Sequence, residues 1–121
     1  MNYMLLVYLD EKAPDKPTGC EGLAERLIES GQFRAGGILQ PVSMATSVRM
    51  RDGRRQVTDG PFAETREQLA GYLMVEAKDL DEAIAIAAQH PVARMGTIEV
   101  RPLREVPGLQ PSEEAFAAAH N

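Results

Sequence analysis

An α+β domain made of two split βαβ units, with a β-hairpin inserted between them, is the fold class this sequence predicts. Three observations predict it. Apolar runs of strand length stand at 3–9 and 69–77, and each is followed by a segment with helical apolar spacing. Alternating stretches flank Asp52-Gly53, a dipeptide favoured in tight hairpins. A last alternating stretch, 96–103, closes the chain's regular part.

Taken in order, Tyr3 to Leu9 is continuously apolar, as a strand covered on both faces would be. Asp10 to Thr18, with Pro14 and Pro17, is a loop. From Gly19 to Ser30, Leu23, Ala24, Leu27 and Ile28 mark one helical face, and Gly31 suits the stop. Gly36 to Pro41 reads as a short second strand closed by proline. Ser47–Arg51 and Arg54–Thr58 form the ribbon. Leu69 to Ala77 is apolar apart from Glu76 and reads as a strand buried on both faces. Asp79 then caps a helix whose acidic first turn suits its positive end, running to His90-Pro91. In 96–103, Ile98 and Val100 alternate with Thr97, Glu99 and Arg101. The domain is expected over 1–105, with a tail over 106–121 that carries a capping-type start to a short helix at 112–119.

Strand, helix, strand, ribbon, strand, helix, strand is the ferredoxin-like arrangement, in which both helices cover one face of the sheet. The reverse face then needs a cover the chain's own helices do not supply. A second copy is the simplest one, so a homodimer with facing sheets is expected, with a ligand cavity between sheet and helices or at the subunit boundary.

Composition narrows the partners. The chain has 121 residues, 44% hydrophobic and 26% charged, ordinary for one globular domain. A net charge of −5 argues against a nucleic-acid or anionic-membrane partner. Cys20 is the single cysteine, so no internal disulfide forms, and a cytoplasmic location is the expectation. The opening apolar run lacks a basic lead and a cleavage site, and no stretch approaches the ~18 apolar residues of a membrane span. One cysteine with His90 and His120 makes no recognisable zinc site, and neither a phosphate-binding glycine loop nor a nucleophile elbow is present. No metal and no cofactor is expected.

The least generic passage is Val57-Thr58-Asp59-Gly60-Pro61-Phe62-Ala63-Glu64-Thr65, continued by Glu67-Gln68-Leu69-Ala70-Gly71-Tyr72. With Glu76 to Ala83 and Ile98 to Pro102, it resembles the YCII-related family in its DGPF branch. The resemblance implies a dimeric α+β barrel. In the wider YCII-like group, some relatives resemble lyases or isomerases of small ring compounds, with a His and Asp pair as proposed acid and base. The early histidine of those relatives has no counterpart here, and their Asp-Pro after the second helix is His90-Pro91. Members of this branch are often encoded beside extracytoplasmic-function sigma factors, which implies a regulatory or accessory setting.

Each candidate residue carries a functional and a structural reading. Asp59, on a bend stiffened by Gly60 and Pro61, is a general base or acceptor, or else the head of an Asx turn, which is favoured. Phe62 is a ligand platform or, preferred, a core residue. His90 shuttles protons beside Asp59, or caps the second helix as a cation at its negative end, again the preferred reading. Arg49, with Arg51, Arg54 and Arg55, attracts an anionic ligand or, more commonly, protects a strand edge. Glu99 and Arg101 share a strand face and line an interior cavity or take part in cross-sheet ion pairs. Tyr72 offers a hydroxyl, though a buried tyrosine with one bond is the safer reading. His120 lies in the tail.

Together these favour a homodimer binding a small organic molecule in a cleft between the Asp59–Phe62 turn and the end of the second helix. Any chemistry there would be acid–base, of lyase or isomerase type, with Asp59 or His90 moving the proton and the ribbon arginines steadying an anion. The alternative is a non-enzymatic accessory dimer that contacts a partner linked to a sigma factor.

Overall fold

The computed structural model describes residues 1–14 and 20–109. Strand β1 (Asn2–Leu9) leads to helix α1 (Cys20–Glu29), β2 (Phe33–Ile38), the ribbon strands β3 (Thr46–Arg51) and β4 (Arg54–Asp59), β5 (Gln68–Glu76), helix α2 (Leu80–Ala88) and β6 (Thr97–Pro102). Short 3₁₀ turns occupy Val42–Met44 and Pro91–Arg94. The main sheet runs β2-β5-β1-β6 with every neighbouring pair antiparallel, and β3 and β4 form a separate two-stranded sheet. This is the α+β, ferredoxin-like order expected. The short tail helix expected at 112–119 and His120 lie outside the described residues.

Alternation in β1 decides which face is the core. Tyr3, Leu5, Val7 and Leu9 are buried while Met4, Leu6 and Tyr8 are half-buried. Tyr3, Leu5 and Val75 cluster with Leu23 and Leu27 of α1 and Ala83, Ile86 and Ala87 of α2, so both helices lie on that side. Burying a side chain such as Leu5 or Val75, neither of which retains any exposure, contributes about 1.5–3 kcal/mol. Asp79 caps α2 as expected, its carboxylate accepting from the Glu82 N–H at 2.9 Å.

On the other face, register sets Met4 opposite Met74, Leu6 opposite Tyr72 and Tyr8 opposite Leu69. Leu69 and Tyr72 each keep 37% of their surface exposed, so β5 is not buried on both faces within a single chain. Tyr72 is correspondingly not the buried tyrosine expected. Its ring lies over β2, where a Cβ on Gly37 would come within 2.9 Å of it.

The second strand begins three residues earlier than the apolar pattern suggests and ends before Leu39. Phe33 packs against the core cluster, and the Glu76 N–H bonds the Gln32 carbonyl, so pairing with β5 starts as soon as the chain turns at Gly31. The ribbon forms as expected, with positive φ at Asp52 and Gly53 (52° and 73°), the pattern of the tight hairpin turn.

Candidate functional site

The helix-free face ends in a cleft of about 1060 Å³, floored by Tyr8 and Leu69 and closed by two loops. The first runs from Leu39 to Ala45 through the 3₁₀ turn; the second is the bend from Asp59 to Thr65. Each loop is held by bonds that the local sequence supplies. The Glu11 carboxylate accepts from the Val42 N–H at 3.1 Å, while the Glu11 N–H donates to Gln68 Oε1 at 2.9 Å, so one residue ties the first loop to the start of β5. Gly60, at φ 96°, turns the chain where a side chain would be strained. Its N–H donates to the Ala45 carbonyl at 2.7 Å, and its own carbonyl accepts from Ser47 Oγ at 2.8 Å, which pins the bend to the ribbon's base.

Asp59 lines the cleft with its carboxylate exposed and hydrogen-bonded to no described residue, so the favoured Asx turn does not form. The bend's geometry comes from backbone bonds at Gly60 instead. Pro61 and Phe62 line the cleft too. Phe62 is 78% exposed, which overturns the expectation of a core residue. The ring belongs to neither buried core cluster and is left on the bend beside the cleft.

The remaining predicted residues lie elsewhere. His90 follows α2 and caps the second 3₁₀ turn, its Nδ1 accepting from the Val92 N–H at 3.1 Å. Burial pushes its pKa below the ordinary imidazole value, so the ring acts as a neutral acceptor there and not as a cation at the end of α2. It is not among the described residues lining the cleft, nor are Gly60, Arg49, Tyr72, Glu99 and Arg101, and no residue of α2 borders it. Arg51, Arg54 and Arg55 are likewise absent from its lining. Glu99 and Arg101 pair along β6 at 3.5 Å.

Tyr8 is the residue the sequence reading missed. Its hydroxyl donates to Glu99 Oε1 at 3.3 Å, joining the cleft floor to the Glu99–Arg101 pair. Burial, and then the neighbouring Glu99 charge, raise the phenol's pKa, which keeps the proton on oxygen. The signal was available: alternation against the buried Tyr3, Leu5 and Val7 puts Tyr8 on the opposite face, although a continuous apolar run conceals it. Lys12, Gln40, Ser47, Glu64, Thr65 and Gln68 complete the polar lining. Among the described residues no group of three or more His, Cys, Asp or Glu could hold a metal, and no helix is long and apolar enough to cross a membrane.

A four-stranded antiparallel sheet with two helices on one face and a loop-walled cleft on the other defines the class as α+β and ferredoxin-like. The YCII-related domain model matches residues 1–107. An uncharacterized protein of Rhizobium meliloti (strain 1021) is 35% identical over 124 residues, an alignment that covers 93% of this chain and 100% of that protein. The chain belongs to the YCII-related family.

Proposed function

We propose that this protein binds a small organic molecule in the cleft beside the Asp59–Phe62 bend. The observation that carries the reading is a concave space of about 1060 Å³ where apolar walls meet a few convergent polar groups, the usual composition of a ligand site. Leu39, Val42, Met44 and Leu69 supply the apolar surface, and Asp59 supplies a carboxylate with no partner among the described residues. If the bound molecule reacts, Asp59 is the group positioned to take a proton from it, in chemistry of the lyase or isomerase type. Ligand that copurifies with the protein, detected by native mass spectrometry and lost in Asp59→Asn and Phe62→Ala variants, supports the reading. Retention of the same mass by both variants counts against it.

A homodimer in the cytoplasm belongs to the same proposal. Met4, Leu6, Tyr72 and Met74 form an apolar stripe that neither helix covers, and a second copy laid sheet to sheet would shelter it. Sedimentation equilibrium at micromolar concentration tests this, and a monomer would refute it. A non-enzymatic role beside a sigma-factor system is the second reading. It is favoured by Val48, Met50 and Val57, which the ribbon exposes at 60%, 59% and 55% and which a protein partner could cover.

A further inference from the structure

Apart from the Gln40 amide, the side-chain hydroxyls and amides that line the cleft have already spent their protons. Tyr8 donates to Glu99 at 3.3 Å, Ser47 to the Gly60 carbonyl at 2.8 Å, and Thr65 to the Glu67 carbonyl at 2.6 Å. A hydroxyl has one hydrogen, so each of these oxygens faces a bound molecule with lone pairs only. Gln68 behaves likewise, its amide nitrogen donating to the carbonyls of Thr65 and Arg66 at 2.6 and 3.4 Å. Asp59 and Glu64 add two acceptor-only carboxylates, against one cation, Lys12, among the described lining residues. Phe62 exposes a ring whose face attracts cations. No ribbon arginine lines this space, so Lys12 and the Gln40 amide are the lining side chains left to donate against this surplus of acceptors.

We infer that the ligand is a donor-rich cation, an organic ammonium compound with an apolar body, held by Asp59 and Glu64 through its charge and by Leu39, Val42, Met44 and Leu69 through its body. The inference rests on the cleft being the ligand site. A carboxylate ligand of the same shape would meet lone pairs and two like charges, with Lys12 as the one described lining cation and the Gln40 amide as a neutral donor to receive it.

Phenethylammonium and 3-phenylpropanoate test it, since they share a ring and a comparable chain and differ in the sign of charge. Isothermal titration at neutral pH and low salt compares their affinities, while the NMR signal of the Met44 methyl group reports where they bind. Phenethylammonium is expected to shift the Met44 signal and to bind about tenfold more tightly than the anion, the product of two partly exposed charge pairs. Asp59→Asn should remove much of that preference, and Asp59→Asn with Glu64→Gln nearly all of it. Neither carboxylate bonds a described residue, so both variants should fold, and an unchanged circular dichroism spectrum verifies it. Equal or tighter binding of the anion, with Met44 shifted, overturns the ammonium assignment and leaves the cleft as a ligand site. An unshifted Met44 with both probes overturns the cleft reading and this inference together.

Discussion

Gly96 stands between the second 3₁₀ turn and β6, and replacing it with alanine should destabilise the fold by steric contact alone. A Cβ at this position would sit 2.2 Å from the Tyr8 carbonyl oxygen and 2.9 Å from Val92 Cγ1. Carbon and oxygen in contact normally lie about 3.3 Å apart, so relief requires a movement of about 1 Å. The obstacle is backbone, and it belongs to a central strand bonded to β5 on one side and β6 on the other. Side-chain rotation therefore cannot relieve it. Overpacking of this kind costs about 1–3 kcal/mol, and a fixed carbonyl puts Gly96→Ala near the upper end, at about 2–3 kcal/mol. For a domain of 121 residues, with an unfolding entropy of about 2.1 cal/mol/K per residue, the melting temperature should fall by about 8–12 °C. Differential scanning calorimetry measures the change. Because the displaced group is Tyr8 itself, the variant should also loosen the Tyr8–Glu99 bond and let the Tyr8 phenol ionise at lower pH, visible by ultraviolet titration. A Gly96→Ala protein that melts within about 2 °C of the parent would refute the steric reasoning, since it would mean β1 yields at almost no cost.

Other perturbations follow from single contacts. Asp79→Ala removes the acceptor for the Glu82 N–H and should cost about 1 kcal/mol in urea denaturation, whereas Asp79→Ser should recover most of it. His90 titrates at lower pH in the folded chain than in the unfolded one, so acid protonates the unfolded state first. Stability should therefore hold at neutral pH and decline as pH drops below the ordinary imidazole value of about 6.5. His90→Asn keeps an acceptor for the Val92 N–H and should flatten the imidazole's part of the melting-temperature profile between about pH 7 and 5. An unaltered profile would show that other groups cause the decline. Tyr8→Phe should delete a phenol transition that lies above the ordinary tyrosine value, and persistence of that transition would show that Tyr8 does not cause it.

Much of the fold was legible because its signals are local. The Asp52-Gly53 turn needs positive φ at two successive residues, the cap on α2 needs an acceptor at Asp79, and both requirements are written into adjacent residues. The second strand was placed three residues late because Phe33 to Ala35 owe their place in it to pairing with β5 and not to a hydrophobic run of their own. Within β2, Gly37 is required because the Tyr72 ring comes within 2.9 Å of where its Cβ would stand. That approach is a property of β5, far away in sequence. Of the candidate site, the Asp59–Phe62 bend was legible as a rigid display of a carboxylate and a ring. The exposure of Phe62 was not, because a general preference of aromatic rings for burial says nothing about which elements the tertiary fold brings near the bend.

The residues alone determined the order of elements, the hairpin and the stiff bend, since each depends on backbone preferences and hydrophobic period within a few positions. Only the tertiary structure decided which polar groups meet. Register brings Tyr8 opposite Leu69 and close to Glu99, sets His90 against the Val92 N–H, and leaves Asp59 without a described partner at the mouth of the cleft. These pairings join groups separated by as many as 91 positions in the chain. Their geometry is set by how strands align and helices pack, so the chemistry a side chain can offer becomes visible once its hydrogens have found their acceptors.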